Sequence, residues 1–229
     1  MCPSMTLPAK LLTELVGSFV FMTVIALAGG IGQLAPLAIG LGLCAMVYMG
    51  GHVSGAHYNP AVSFGLLLRR VIDARTMAAY WGAQVLAALL AFTFGYMLSG
   101  HATGVHPGAN VSWPSALAAE IVFSAALMTV VLNVAATRAT AGNSYYGIAI
   151  GFTVAAGAFA VGPISGAAFN PAVGIGATVA GAIFGHGSWS DLWLYVVGPF
   201  AGAAVAAGIH ALQTRAEPVT PESSEGLQP

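Results

Sequence analysis

The sequence predicts an all-α membrane protein: six transmembrane helices plus two re-entrant half-helices arranged as an inverted repeat. Three observations carry this. Of the 229 residues 58% are hydrophobic and only 6% charged, with a mean hydropathy of +0.85, which is too little charge to coat a soluble globule. Six apolar runs approach the ~20 residues that a bilayer core requires. An Asn-Pro-Ala triplet occurs twice, inside SGAHYNPAV (54–62) and SGAAFNPAV (165–173), each time embedded in apolar sequence.

The six long runs are Leu11 to Ala28, Pro36 to Val53, Ala78 to Leu98, Ser115 to Ala135, Ser144 to Gly162 and Leu192 to Leu212. Between them lie two short ones, Asn59 to Leu68 and Asn170 to Phe184. At ~1.5 Å per residue the short runs reach about halfway across the hydrocarbon. All six basic residues fall on one side if the N-terminus is cytoplasmic: Lys10, Arg69, Arg70, Arg75, Arg138 and Arg215. The remaining three connections contain no Lys or Arg, as the positive-inside rule predicts for an even number of spans with both termini in the cytoplasm.

The segment MCPSMTLPAK lacks the ordered parts of a signal peptide, so the first span is expected to be retained. Cys2 and Cys44 make no disulfide framework. From residue 214 to 229 the chain is rich in Glu, Ser and Pro and reads as a disordered cytoplasmic tail, leaving one domain over 1–213.

That domain divides into two repeats, about 10–98 and 115–212. Asn59 and Asn170 lie 111 residues apart, and at the same offset Ser54, Gly55, Ala56 and Val62 match Ser165, Gly166, Ala167 and Val173. Glu14 and Glu120 match at an offset of 106. Three spans per repeat force the second copy to enter the membrane from the opposite face. Both short helices then begin near the midplane, where non-helical backbone is tolerated only against protein or a water-filled cavity.

Asn is a favoured N-cap and Pro a favoured first helical residue, so one such triplet is merely a well-formed helix start. Two of them at equivalent places of an inverted repeat point to function. Each half-helix presents roughly half a positive charge at its N-terminus, and two facing tips repel cations. The Asn59 and Asn170 amides can donate hydrogen bonds to a passing water or alcohol oxygen. Before each cap the carbonyls of Gly55, Ala56, His57 and Tyr58, and of Gly166, Ala167, Ala168 and Phe169, are expected to line a path as acceptors. Glu14 and Glu120 sit in apolar spans and are expected to accept N–H groups from these unwound segments, supporting the loops without carrying protons.

Small residues at Gly40, Gly42, Ala87, Ala88 and 201–207 suit close helix packing. His52 and His57 have no ligand spacing, so neither a metal nor another cofactor is expected. No residue pattern suggests catalysis or nucleic-acid binding. A secondary transporter also uses inverted repeats but needs coupling groups, and the only acids inside the spans are the two glutamates. An ion channel would need a charged ring or a carbonyl filter sequence.

The two NPA motifs, GHVSGAHYNPAV in the first half, a Glu in spans one and four, YWGAQ at Tyr80 and GPFAGA at Gly198 together resemble the aquaporin and aquaglyceroporin (major intrinsic protein) family from about Leu11 to Leu212. The resemblance is to a bacterial-type member. It implies a passive channel with one pore per protomer, usually in a homotetramer, in a bacterial inner or plasma membrane. The partners it implies are water, small neutral solutes and the lipid bilayer. It also implies that Asn59, Pro60, Ala61, Asn170, Pro171 and Ala172 form the central motifs.

Most members of that family place an Arg directly after the second NPA, where this chain has Val173. The other selectivity-filter positions correspond to Ile39, Ala158 and Ala167. Four apolar residues of modest size imply a wide filter that admits glycerol, urea and uncharged metalloid acids, such as arsenite or methylated arsenicals, besides water. A water-selective channel is the alternative.

Overall fold

The computed structural model describes residues 5–185 and 187–215. Cys2 and most of the tail expected to be disordered, 216–229, lie outside the described residues. Those described form helices and connections with no β-strand.

Eight α-helices follow in order: α1 (Leu7–Ala28), α2 (Ala35–Ser54), α3 (Pro60–Leu68), α4 (Ala74–Ser99), α5 (Trp113–Val131), α6 (Tyr146–Ser165), α7 (Pro171–Phe184) and α8 (Leu192–Gln213). Six have 19 residues or more, and α3 and α7 have 9 and 14. The starts are chemically specified. Thr6 Oγ1 accepts from Ala9 N ahead of α1, and Asp73 Oδ1 accepts from Thr76 N at 2.7 Å ahead of α4. That backbone hydrogen bond also holds the exposed Asp73 carboxyl below its ordinary range. Between α1 and α2 the backbone stays helical through a 3-10 segment, Gly29–Leu34, broken only at Gly32, whose φ of 60° and ψ of −129° separate two spans that would otherwise run together.

The two repeats interlock. In the first, α1 packs against α2 and α4; in the second, α5 packs against α6 and α8. Each short helix also reaches into the other repeat: α3 lies on α8, and α7 on α4. The central α2–α6 contact brings backbones together, because a Cβ on Gly40 would stand 2.6 Å from the Gly151 carbonyl oxygen and equally close to Ala155 Cβ.

Burial is arranged for lipid. Large apolar side chains such as Leu12, Leu90, Val122, Phe152 and Val205 are exposed on the outside, while Glu14, Ser63, Gln84, Glu120 and Ser165 are fully buried. At the face carrying the basic residues, three elements are tied at His210 near the end of α8. Arg69, at the end of α3, donates from Nε to His210 Nδ1 at 3.0 Å. Guanidinium has no acceptor, so Nδ1 holds a lone pair and Nε2–H faces Thr137 Oγ1 at 2.8 Å. Thr214, the one residue of the expected tail besides Arg215 that the structure describes, accepts from Arg69 and donates to the His210 carbonyl.

A leucine at position 40 should separate α2 from α6. Overpacking of this kind costs about 1–3 kcal/mol, so Gly40→Leu is expected to lower the thermal unfolding midpoint in detergent. A midpoint equal to that of the wild type would contradict the close crossing.

Candidate functional site

Both α2 and α6 end in a left-handed glycine, Gly55 and Gly166, each with φ of 89°. The residues that follow are unusual because Ala56, Tyr58, Ala167 and Phe169 also have positive φ, between 48° and 54°. A non-glycine residue held there costs about 1–3 kcal/mol and persists only when its surroundings over-determine it. Here a buried carboxylate does so in each repeat.

Glu14 Oε1 accepts from Ser54 Oγ at 2.7 Å and from His57 N at 2.9 Å. Its Oε2 accepts from Tyr58 N and Gln84 Nε2, both at 2.8 Å. Glu120 repeats the pattern: Oε1 accepts from Ser165 Oγ at 2.7 Å and Ala168 N at 3.0 Å, and Oε2 from Phe169 N at 2.8 Å. Ser54 and Ser165 then accept from Ala56 N and Ala167 N, each at 3.0 Å. Tyr80 and Tyr195 anchor the same turns by donating to the carbonyls of Ser54 and Ser165. Gln84 has no counterpart, because the equivalent place on α8 is Pro199.

With the segments so held, the tips of α3 and α7 meet. Asn59 and Asn170 have extended backbone and accept from Ala61 N and Ala172 N through their side-chain oxygens, so each caps its own helix. Their amide nitrogens reach across the repeat: Asn59 Nδ2 donates to the Phe169 carbonyl at 2.8 Å, and Asn170 Nδ2 to the Tyr58 carbonyl at 2.9 Å. One N–H of each amide is thus committed and the second is left over.

This corrects part of the expected ladder of free carbonyls. Those of Tyr58 and Phe169 serve the joint between the two repeats. The carbonyls of Gly55, Ala56, His57, Gly166, Ala167 and Ala168 have no protein donor among the described residues.

Two cavities flank the joint. One, of about 330 Å³, opens toward the basic face and is lined by Asn59 and Asn170, by residues 55–58, and at its mouth by Thr140, Asn143 and Tyr146. The other, of about 180 Å³, lies toward the opposite face, and Ile39, Ala158, Ala167 and Val173 all line it. Pro60, Pro171, Ala61 and Ala172 are buried behind the tips as the first residues of α3 and α7. The His57 ring has Nδ1 2.9 Å from Ser63 Oγ and packs edge-on to Tyr80.

Sequence reasoning missed Phe21, Val154 and Val105, which also line the second cavity. Phe21 stands seven residues after Glu14, two helical turns along the same face, so the signal was present. Val105 arrives from the 100–112 connection, which Gly108 ties down by donating to the Ile164 carbonyl at 3.1 Å. No periodicity marks it.

Long apolar helices enclosing two opposed half-helices, with one cavity reaching their joined tips and a second toward the opposite face, define a membrane channel of the water and small-solute class and not an enzyme. The chain belongs to the major intrinsic protein family, whose family model matches residues 3–210. It is similar to a rice (Oryza sativa subsp. japonica) protein named "Probable aquaporin TIP3-2", 33% identical over 208 residues covering 88% of this chain and 76% of that one. It is similar as well to maize (Zea mays) aquaporin NIP1-1, 34% identical over 212 residues covering 86% and 72%. The X-ray structure of the aquaglyceroporin from Plasmodium falciparum shares the fold, with a TM-score of 0.80 at 22% identity over 90% of this chain and 96% of that one.

The asymmetry between the two carboxylates yields a ranked prediction. An Ala at position 14 leaves four donors without their acceptor, whereas at position 120 it leaves three. Each charge-assisted hydrogen bond lost is worth about 1.5–3 kcal/mol. Glu14→Ala is therefore expected to lower the unfolding midpoint in detergent more than Glu120→Ala, and the reverse order would contradict the assignment.

Proposed function

We propose that this channel passes glycerol, urea and uncharged metalloid acids, including methylated forms, as well as water, and that Ile39, Ala158, Ala167 and Val173 form its outer filter. The single observation behind this reading is Val173. It stands where most relatives of this class carry Arg, and the three residues that line the same cavity are small or aliphatic. Without a guanidinium the ring neither narrows the path nor demands that a solute present a strong acceptor. Loss of the fixed charge also leaves the exclusion of cations to the two half-helix N-termini.

At the tips, the second N–H of Asn59 and of Asn170 donates to the solute oxygen, while the unpaired carbonyls of residues 55–57 and 166–168 accept from its hydroxyls. Pairing donors on one side with acceptors on the other suits water and polyols equally. The basic face, with Lys10 and the five arginines, lies in the cytoplasm, and the protein works as a homotetramer in a bacterial inner or plasma membrane.

Stopped-flow permeabilities in proteoliposomes test the solute range directly. Wild type is expected to pass water, urea, glycerol and arsenous acid, and water flux without glycerol or urea flux would contradict the broad range. Val173→Arg is expected to lower the glycerol-to-water ratio about tenfold, equivalent to ~1.4 kcal/mol of added barrier. An unchanged ratio would show that position 173 does not face the permeating solute.

A further inference from the structure

The outer ring encloses a chamber. Its cavity of about 180 Å³ is more than tenfold the 10–15 Å³ or so that a single water centre needs, and Ile39, Ala158, Ala167 and Val173 stand on its wall. The basic-face cavity, about 330 Å³, is larger still. Three residues are walls of both chambers: Phe21 of α1, Val154 of α6 and Ala168 of the second unwound segment. Residues common to two adjoining chambers line the passage between them.

Phe21 is by far the largest of the three side chains and the only aromatic one that lines both chambers. It is 4% exposed. Its position is inherited from Glu14, two turns earlier on the same face of α1, which four hydrogen bonds fix to the first unwound segment and α4. Opposite it, Ala168 N is bound to Glu120. Both sides of the gap are therefore set by the buried carboxylates and have little freedom to yield to a solute.

We propose that Phe21, which shares the passage with Val154 and Ala168, is the residue that sets the upper size of solute this channel admits, and that the apolar ring around Val173 does not. The proposal deepens the channel reading given above and rests on it. A solute oxygen held by the free Asn N–H groups, which line the same chamber as Phe21, must present its C–H edge to the ring. Ring area at position 21 then decides how many carbons pass.

Proteoliposomes containing wild type, Phe21→Ala, Phe21→Leu, Phe21→Trp and Ile25→Ala, the last altering a wall of the outer chamber alone, test this, with water, glycerol and erythritol as probes and each solute permeability divided by that of water. Phe21→Ala is expected to raise the erythritol-to-water ratio about tenfold, or ~1.4 kcal/mol off the barrier. Phe21→Leu is expected to raise it less, Phe21→Trp to lower the glycerol-to-water ratio, and Ile25→Ala to leave both near wild type. A purely structural role would lower all fluxes together and move no ratio.

Ratios unchanged across the position-21 series, or shifted by Ile25→Ala instead, would overturn the proposal. Should Phe21→Ala conduct no water, the order among Leu, Phe and Trp decides. Should wild type pass water alone, the broad range fails separately, and a gain of glycerol flux in Phe21→Ala still supports the neck while no gain overturns it.

Discussion

Two buried carboxylates accepting backbone N–H groups at mid-membrane depth are the interaction on which the rest of this structure depends. Unwound chain inside a bilayer leaves donors without water, at several kcal/mol each. Here Glu14 and Glu120 absorb those of His57, Tyr58, Ala168 and Phe169, and the serines they hold absorb those of Ala56 and Ala167. The same bonds stabilise four non-glycine residues at positive φ. A carboxylate at this depth is itself costly unless fully partnered, and the donors it collects are what make its burial tolerable. Carboxylate and loop each offset the other's defect.

From that support the tip-to-tip arrangement follows. Once residues 55–58 and 166–169 are held, Asn59 and Asn170 fall where each can cap its own helix with oxygen and clasp the opposite loop with nitrogen. Each of these two asparagines therefore gives its oxygen to the cap and one N–H to the joint, and keeps a second N–H besides. Neither Asp nor Ser offers all three groups, because Asp lacks the donors and Ser has only one. Crossed packing of α3 on α8 and α7 on α4 keeps the two tips in register, and the positive ends of the two half-helix dipoles then meet at the joint.

The parts legible in the sequence were those encoded by repetition or by chemically improbable residues. A doubled Asn-Pro-Ala and two glutamates in apolar spans announced the inverted repeat, and three spans per copy determined its sense. Less legible were features that depend on which atoms meet in space. Nothing in the spacing of Tyr58 and Phe169 shows that their carbonyls are taken by the partner asparagines. Gln84 and Pro199 occupy equivalent places, yet only the structure shows that one carboxylate has four donors and the other three. Phe21 hid among other apolar residues of α1, where hydropathy cannot separate a pore wall from a lipid-facing or packed side chain. Val105 lies in a connection with no periodicity, so its place in the second cavity is a property of tertiary structure alone.

A fixed conduit has no alternating states to saturate. The most direct measurement is therefore initial glycerol flux into proteoliposomes as a function of outside concentration and of temperature. Solute moving past two permanently joined half-helix tips should enter at a rate linear in concentration with a weak temperature dependence. Flux that reaches a plateau and rises steeply on warming would mean that the tips separate or the bundle rocks in each cycle, and the picture of a static passage would be wrong.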